Sequence, residues 1–277
     1  MATKITWAER ILDVTGGCSK CADGCRNCWA IREVWRQKRH QKWKGLVEKT
    51  PAGLNWTGRT KLFPEMLDVP LRTRKPTTFF VNSKSDLFHK DVPFEFIDQV
   101  HAVIALCPQH TFQILTKRIE RAAEYYESVQ KLKAESVRDM AIWDAWRAVY
   151  GEKLNDKIWP LPNLWLGTSI STQPDADKNI PILLQIPSAL RFVSLEPMLE
   201  RIDFYDSLPD WVIIGCESGP KARLCSLDDI RVAAGQAKHA GVPVFIKQVP
   251  IFGRCSKDPA EWPRDLRIQE YPSINRK

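Results

Sequence analysis

Residues 77–86 read Thr77-Thr78-Phe79-Phe80-Val81-Asn82-Ser83-Lys84-Ser85-Asp86: five β-branched or aromatic residues, then a polar break. A short apolar run bounded in this way predicts a strand buried on both faces. The pattern recurs downstream. ThrPheGlnIleLeu (111–115) passes to Thr116, Lys117 and Arg118, and LeuTrpLeuGly (164–167) to Thr168 and Ser169. ArgPheValSerLeu (191–195) leads to Glu196, TrpValIleIleGly (211–215) to Glu217 and Ser218, and ValProValPheIle (242–246) to Lys247 and Gln248. Helical periodicity fills the intervals at 96–105, from Arg118 to about Tyr150, at 180–186 and at 227–238. Apolar strands alternating with helices predict a parallel sheet covered by helices. The expected class is therefore α/β, a full or partial (β/α) barrel of about six to seven parallel strands. One domain is expected over 1–277, with a helical insertion at about 118–160. That insertion carries Trp143, Trp146 and Trp159 and reads as a cover for the barrel mouth or a docking face for a protein partner.

Composition agrees with a folded domain. Of 277 residues, 44% are hydrophobic and 27% charged, which supplies a core and excludes a disordered or collagen-like chain. No stretch approaches the roughly 18 uncharged apolar residues of a membrane span. The first ten residues, MATKITWAER, lack the apolar centre of a secretory signal. A cytoplasmic protein without a membrane partner is expected.

Charge is distributed unevenly. The net charge is +8, yet Arg26 to Lys75 holds thirteen Lys and Arg against four Asp and Glu. The excess is confined to that segment. Concentrated cations displace counterions from phosphates, so the basic segment 26–75 suits a nucleic acid, with Arg32, Arg36, Arg39 and Lys42 as candidate contacts. Trp29, Trp35, Trp43 and Trp56 are interleaved with it and could stack on unpaired bases. The plainer reading is a solvated basic helix with its tryptophans in the core.

Eight cysteines are present, four of them within GlyGlyCysSerLysCysAlaAspGlyCysArgAsnCysTrpAla (16–30). Disulfide frameworks belong to shorter secreted chains with dispersed cysteines. Cys18, Cys21, Cys25 and Cys28 instead predict a metal site in a reducing compartment. Two Cys-x2-Cys pairs suit tetrahedral zinc, although the gap between them is short. Three of the four, as Cys21-x3-Cys25-x2-Cys28 or Cys18-x6-Cys25-x2-Cys28, suit a [4Fe–4S] cluster with one iron left open. Spacing alone serves both. In α/β barrels chemistry gathers at the carboxyl ends of the strands. Each predicted strand here ends in charged or hydroxyl residues, and the cysteine loop follows the first strand. That convergence is what a reactive cluster requires and a zinc knuckle does not.

Taken in order, the blocks just quoted, together with SerLysSerAspLeuPheHisLysAspValPro (83–93), resemble those of the phage-associated three-cysteine-motif proteins. The resemblance runs from about Ile5 to Gln248. That family is more remotely similar to radical S-adenosylmethionine (SAM) enzymes, which place a three-cysteine cluster loop after the first strand of a partial α/β barrel. The resemblance puts the family's cysteines on Cys18, Cys25 and Cys28. Cys21 and Asn27 depart from the patterns, so the ligand triplet stays open between Cys18 and Cys21.

What the resemblance implies is a [4Fe–4S] enzyme that binds SAM, draws on an electron donor and generates a 5′-deoxyadenosyl radical to modify or repair a nucleic acid in a bacterial host's cytoplasm. Ser83 and Asp86 would hold the SAM amino group or ribose, and Lys117 or Arg118 its carboxylate. Ser169 and Glu196 would complete the cofactor contacts. Glu217 and Lys247 would serve catalysis, with Gln248 touching substrate. Plainer readings exist: Asp86 caps a helix, Glu196 pairs with Arg118, and Lys247 is solvated. Other classes to weigh are a zinc-stabilised nucleic-acid-binding protein without catalysis and a partner-dependent scaffold. His89 falls near the predicted mouth. His40, His101, His110 and His239 read as surface, and Cys107, Cys216, Cys225 and Cys255 as small buried apolar residues.

Overall fold

The computed structural model describes residues 6–134, 160–205, 207–219 and 221–273. Its strands are β1 (Arg10–Leu12), β2 (Thr15–Gly16), β3 (Val47–Thr50), β4 (Gly53–Trp56), β5 (Lys61–Leu62), β6 (Thr78–Val81), β7 (Thr111–Thr116), β8 (Leu164–Ser169), β9 (Leu190–Leu195), β10 (Trp211–Gly215), β11 (Val244–Ile251) and β12 (Arg254–Ser256). The helices are α1 (Trp29–Arg36), α2 (Asp68–Arg72), α3 (Phe94–Leu106), α4 (Ile119–Ala134), α5 (Gln173–Gln185) and α6 (Leu227–His239). Eight strands form one sheet in the order β1-β6-β7-β8-β9-β10-β11-β12. The pairings β1–β6, β6–β7, β9–β10 and β10–β11 are parallel, and β11–β12 is antiparallel. The fold is thus α/β, and of the two forms expected it is the partial barrel.

The chain divides into two compact units: residues 1–20, 30–166 and 186–189, and residues 21–29, 167–185 and 190–277. In the first, β6 is the central strand, registered on β1 (Ile11 beside Phe80) and on β7 (Phe79 beside Phe112). The rings of Phe79 and Phe112 stack with centroids 5.4 Å apart. Burying such rings stabilises by about 1.5–3 kcal/mol each. Helix α3 is joined to α4 by buried polar contacts: His101 shares hydrogen bonds with the Ile97 carbonyl and the Tyr126 hydroxyl, and the Tyr125 hydroxyl donates to Asp98. His101 and His110 are buried, which corrects their surface assignment. Each has a backbone carbonyl within hydrogen-bond reach to satisfy its ring.

In the second unit every residue of β10 is buried, as the uninterrupted apolar run TrpValIleIleGly requires. Ser226 caps α6 by accepting from the Asp228 N–H at 3.1 Å. Strand β11 begins two residues later than expected and runs on past Lys247 and Gln248, because β12 returns beside it. Those two residues therefore lie within a strand rather than after it. Helix α5 also starts earlier than its apolar core suggests, with Pro181 inside it. Of the helical insertion, α4 is described to Ala134; its continuation, with Trp143, Trp146 and Trp159, lies outside the described residues. No described helix is long and apolar enough to cross a membrane.

The segment 26–75 is not one long basic helix. It holds α1, the β3–β4 hairpin, β5 and short helical turns. Trp43 and Trp56 are buried, so they pack in the core rather than meeting bases. Trp29 is 45% exposed, and the Lys38 ammonium covers the Trp35 ring at 3.4 Å. Arg36 and Arg39 are exposed and Arg32 half-buried. Lys42 is half-buried instead, its Nζ 4.2 Å from the Phe63 ring centroid and donating to the Asp13 carbonyl at 3.4 Å. Burial holds the Lys42 pKa below its ordinary value, with the nearby Asp13 and Glu65 charges opposing.

Candidate active site

In the first unit, the polar residues after β1, β6 and β7 form one connected network. Asp13 follows β1 and is 5% exposed. Its Oδ1 accepts from the Ser83 N–H at 2.7 Å and the Ser83 hydroxyl at 3.0 Å, while Oδ2 pairs with Lys84 Nζ at 2.7 Å. Asn82 adopts a left-handed backbone, φ 65°, which asparagine tolerates better than most residues. Its Oδ1 accepts from the N–H groups of Val14 and Thr15 at 2.9 and 3.1 Å, tying β6 to the segment entering the cysteine loop.

Asp86 is the network's hub. Its Oδ1 accepts from the Phe88 N–H (3.0 Å) and the Thr116 hydroxyl (2.7 Å), and its Oδ2 from the Lys117 N–H (3.1 Å) and Arg118 Nη1 (2.9 Å). Arg118 then reaches the start of the cysteine loop. Its Nη2 donates to the Ser19 carbonyl at 2.7 Å and hydroxyl at 3.0 Å, and its Nη1 lies 3.6 Å from Cys18 Sγ. Within this unit Arg118 pairs with Asp86, both standing after strand ends of the same network. His89 is fully buried and accepts at Nδ1 from the Asp91 N–H at 3.3 Å. Its Nε2–H is thereby left to donate to the Ser19 hydroxyl at 2.8 Å. Burial, then the Arg118 charge, holds the His89 pKa below its ordinary value.

In the second unit, the turn bearing Cys21, Cys25 and Cys28 is fixed by backbone bonds, Cys25 N–H to the Ala22 carbonyl at 2.9 Å and Cys28 N–H to the Cys25 carbonyl at 3.3 Å. Gly24 is buried, and a β-carbon there would collide with the Ser171 hydroxyl. Asn27 donates to Glu217 Oε2 at 2.9 Å and to the Lys221 carbonyl at 2.8 Å. Glu217 is 5% exposed and takes a bidentate contact from Arg223, Nη2 to Oε1 at 2.6 Å and Nε to Oε2 at 3.0 Å. Arg223 also donates to the Asp23 carbonyl at 3.0 Å. Burial works to raise the Glu217 pKa, but hydrogen bonds from Arg223 and Asn27 outweigh it and hold the carboxyl below the ordinary range.

A second carboxylate stands nearby in the same unit. Glu196 Oε1 pairs with Lys247 Nζ at 2.8 Å, and its Oε2 accepts from the Ser194 hydroxyl at 3.1 Å. Its backbone carbonyl accepts from Ser169 at 3.2 Å. The side chain lies close over Gly215, where a β-carbon would stand 2.7 Å from Glu196 Oε1. Lys247 is 18% exposed, so it is paired rather than solvated. Gln248 is buried and turned to the Cys216 carbonyl.

The cysteine turn offers thiols, the donors that iron–sulfur clusters and zinc both take. Cys21 is exposed and Cys18, Cys25 and Cys28 are half-exposed. By donor type the residues fit a thiolate-held group. Among the described residues no three His, Cys, Asp or Glu side chains are gathered so as to hold a metal ion.

Sequence reading placed Asp86, Arg118, Glu196 and Glu217 beyond strand ends, and each is hydrogen-bonded or ion-paired there; Lys247, expected after its strand, is paired from within β11. It missed Asp13, Asn82, Ser19 and Arg223. A carboxylate directly after the apolar Ile11-Leu12 pair, and an arginine six residues after Glu217, were the available signals.

Three solved structures share features with this chain. Spore photoproduct lyase complexed with dinucleoside spore photoproduct is 12% identical with a TM-score of 0.39, covering 71% of this chain and 48% of that one. A variant of that lyase with bound AdoMet and dinucleoside spore photoproduct is 11% identical with a TM-score of 0.41, covering 86% and 63%. A further variant is 12% identical with a TM-score of 0.41, covering 82% and 65%. The chain thus spans between about half and two thirds of the length of these proteins. No curated protein matches it. The family model for a protein of unknown function, DUF5131, matches residues 2–268, and the chain belongs to that family.

Proposed function

We propose that this chain is a radical SAM-type enzyme acting on a nucleic acid. Cys25 and Cys28, with Cys18 or Cys21, would hold a [4Fe–4S] cluster. When bound, cluster and SAM would supply one-electron reductive chemistry that ends in hydrogen abstraction from a substrate. The observation that carries this reading is the buried Glu217 carboxylate, paired with the partly exposed Arg223 and clamped onto the turn between Cys21 and Cys28. Burying charge is costly, and here it is spent on fixing the bearing of a thiol-rich turn.

The remaining roles follow from the contacts. Arg118 orients the Cys18 end of the loop through Ser19, with its Nη1 3.6 Å from the Cys18 sulfur. Asp86 is committed to four donors and acts by positioning Arg118 and Lys117. Glu217 likewise positions the turn. Ser83, Lys117, Ser169 and Glu196 are the groups we assign to SAM, and Lys247 to substrate, where its Nζ can hold a proton against Glu196. Arg32, Arg36 and Arg39 would meet phosphates. On this reading the chemistry would run in a bacterial host's cytoplasm, with the electron supplied by a donor protein.

Anaerobic purification followed by iron, sulfide and zinc analysis tests the reading. About four irons per chain, and 5′-deoxyadenosine formed on adding SAM and dithionite, are expected. Stoichiometric zinc with no iron would overturn it and leave a zinc-held nucleic-acid-binding protein.

A further inference from the structure

In the second unit, strand β11 turns back into β12 through Phe252 and Gly253, between the paired residues Ile251 and Arg254. Both turn residues have positive φ, 47° and 73°. That is the pattern of a type I′ hairpin turn, which asparagine, aspartate and glycine occupy readily and a bulky side chain does not. The first position nevertheless holds phenylalanine, and it is 98% exposed. A left-handed backbone and an aromatic surface left in water thus coincide at one residue, and packing within the unit offsets neither. Backbone strain of this kind persists where a residue is kept for contact with something else.

The surroundings of the tip select the partner. From Lys247 to Lys257 the chain carries three cations and no carboxylate. Lys247 is held by Glu196, whereas Arg254 and Lys257 are exposed. With Gly253, Ser218 and Leu224 those two line a cavity of about 560 Å³ beside the turn, within the range of ligand sites. Asp258 and Glu261 also line it, and both are engaged. Glu261 accepts from Arg254 Nη2 at 2.7 Å and from the Ser256 hydroxyl, and Asp258 accepts from the Ala260 N–H at 2.9 Å. An aromatic face flanked by cations is the arrangement that stacks on an unpaired base while its phosphate is neutralised.

We propose that the β11–β12 hairpin is a reading tip for single-stranded nucleic acid. The Phe252 ring stacks on an unpaired base, and Arg254 and Lys257 receive the adjoining phosphate at the cavity. This rests on the nucleic-acid part of the proposed function and names an element that grips the strand. At about 3.3 Å per residue the tip stands about 17 Å along the strand from Lys247. Stacking at Phe252 is therefore separable from the groups assigned to SAM.

The test titrates the full chain with a fluorescein-labelled single-stranded DNA and follows urea unfolding of the same samples. Phe252→Ala should weaken binding by about 5- to 150-fold, and Phe252→Trp should restore it. Phe252→Asn suits the turn, so it should match or exceed the unaltered chain in stability while binding as weakly as the alanine variant. Lys257→Gln should reduce the slope of log affinity against log salt by about 0.7. Undiminished binding by Phe252→Ala and Phe252→Asn would overturn the proposal and leave the tip to a protein partner. A loss of stability in Phe252→Asn would overturn it as well, by making Phe252 a part of the fold. If the unaltered chain bound no DNA, this proposal and the nucleic-acid reading would fall together, while the iron analysis would still decide the cluster.

Discussion

Two buried carboxylates, each paired with an arginine, hold the two ends of the cysteine loop, and the pairs are built differently. Asp86–Arg118, in the first unit, gathers donors from Phe88, Thr116 and Lys117 besides the arginine, and passes the contact on to Ser19 and the Cys18 sulfur. Glu217–Arg223, in the second, is closed within six residues and touches the loop through Asn27 and the Asp23 carbonyl. The first pair is a junction of strand ends, and removing it disturbs β6 and β7 as well as the loop. The second is a local clasp, whose loss should fall mainly on the turn. Folding and positioning are thus carried by one pair and divided from each other at the other.

The largest effect should come from breaking the junction. Arg118→Met leaves Asp86 buried without its countercharge, and a loss of about 3–5 kcal/mol is expected in urea unfolding. Glu217→Gln preserves shape, and because the Arg223 side chain is 28% exposed the cost should be smaller, about 1–2 kcal/mol. In Glu217→Gln, iron retained per folded chain should fall further than stability does. Equal stability losses in the two variants would erase the distinction between junction and clasp.

Acid should separate the units next. His101 in the first unit is fully buried and held neutral, its pKa lowered from 6.5 to about 4 by burial, against a hydrogen bond to Ile97. Between those values the unfolded chain binds the extra proton, so stability falls as pH drops, by about 1.4 kcal/mol per unit. Glu217, with a folded pKa below its ordinary 4.5, keeps its contribution above that value and loses it only as pH falls further. Hydrogen exchange should therefore show α3 and α4 losing protection between pH 6.5 and 4, before the β10 region does. A His101→Phe chain should lose that early slope.

The smallest effect concerns the basic segment. Arg39→Gln should reduce the slope of log affinity against log salt for DNA by about 0.9. Lys42→Gln should change it less, because the Lys42 ammonium is turned toward Phe63 and the Asp13 carbonyl. Equal slopes for the two variants would show that Lys42 swings out to meet phosphate.

The strands with polar ends were legible because β6 to β10 carry apolar runs too short for helices and too regular for loops. The cysteine turn was legible from spacing alone. Asp13 was hidden because its partners, Ser83 and Lys84, lie about seventy residues away and leave no local trace. Trp43 and Trp56 looked like stacking surfaces because interleaved charges do not say which face turns inward. The reach of β11 depends on β12, a pairing that no periodicity within 242–246 encodes.

Asn82 carries a consequence for how such sequences can drift. Glycine would accept its backbone angle but lose the oxygen that two amides share, and aspartate would keep the oxygen while bringing a second anion close to Asp13. Leucine or valine would do neither. Few of the twenty residues can occupy that position, so a copy that has lost asparagine there should also have redrawn the approach to its cysteine loop.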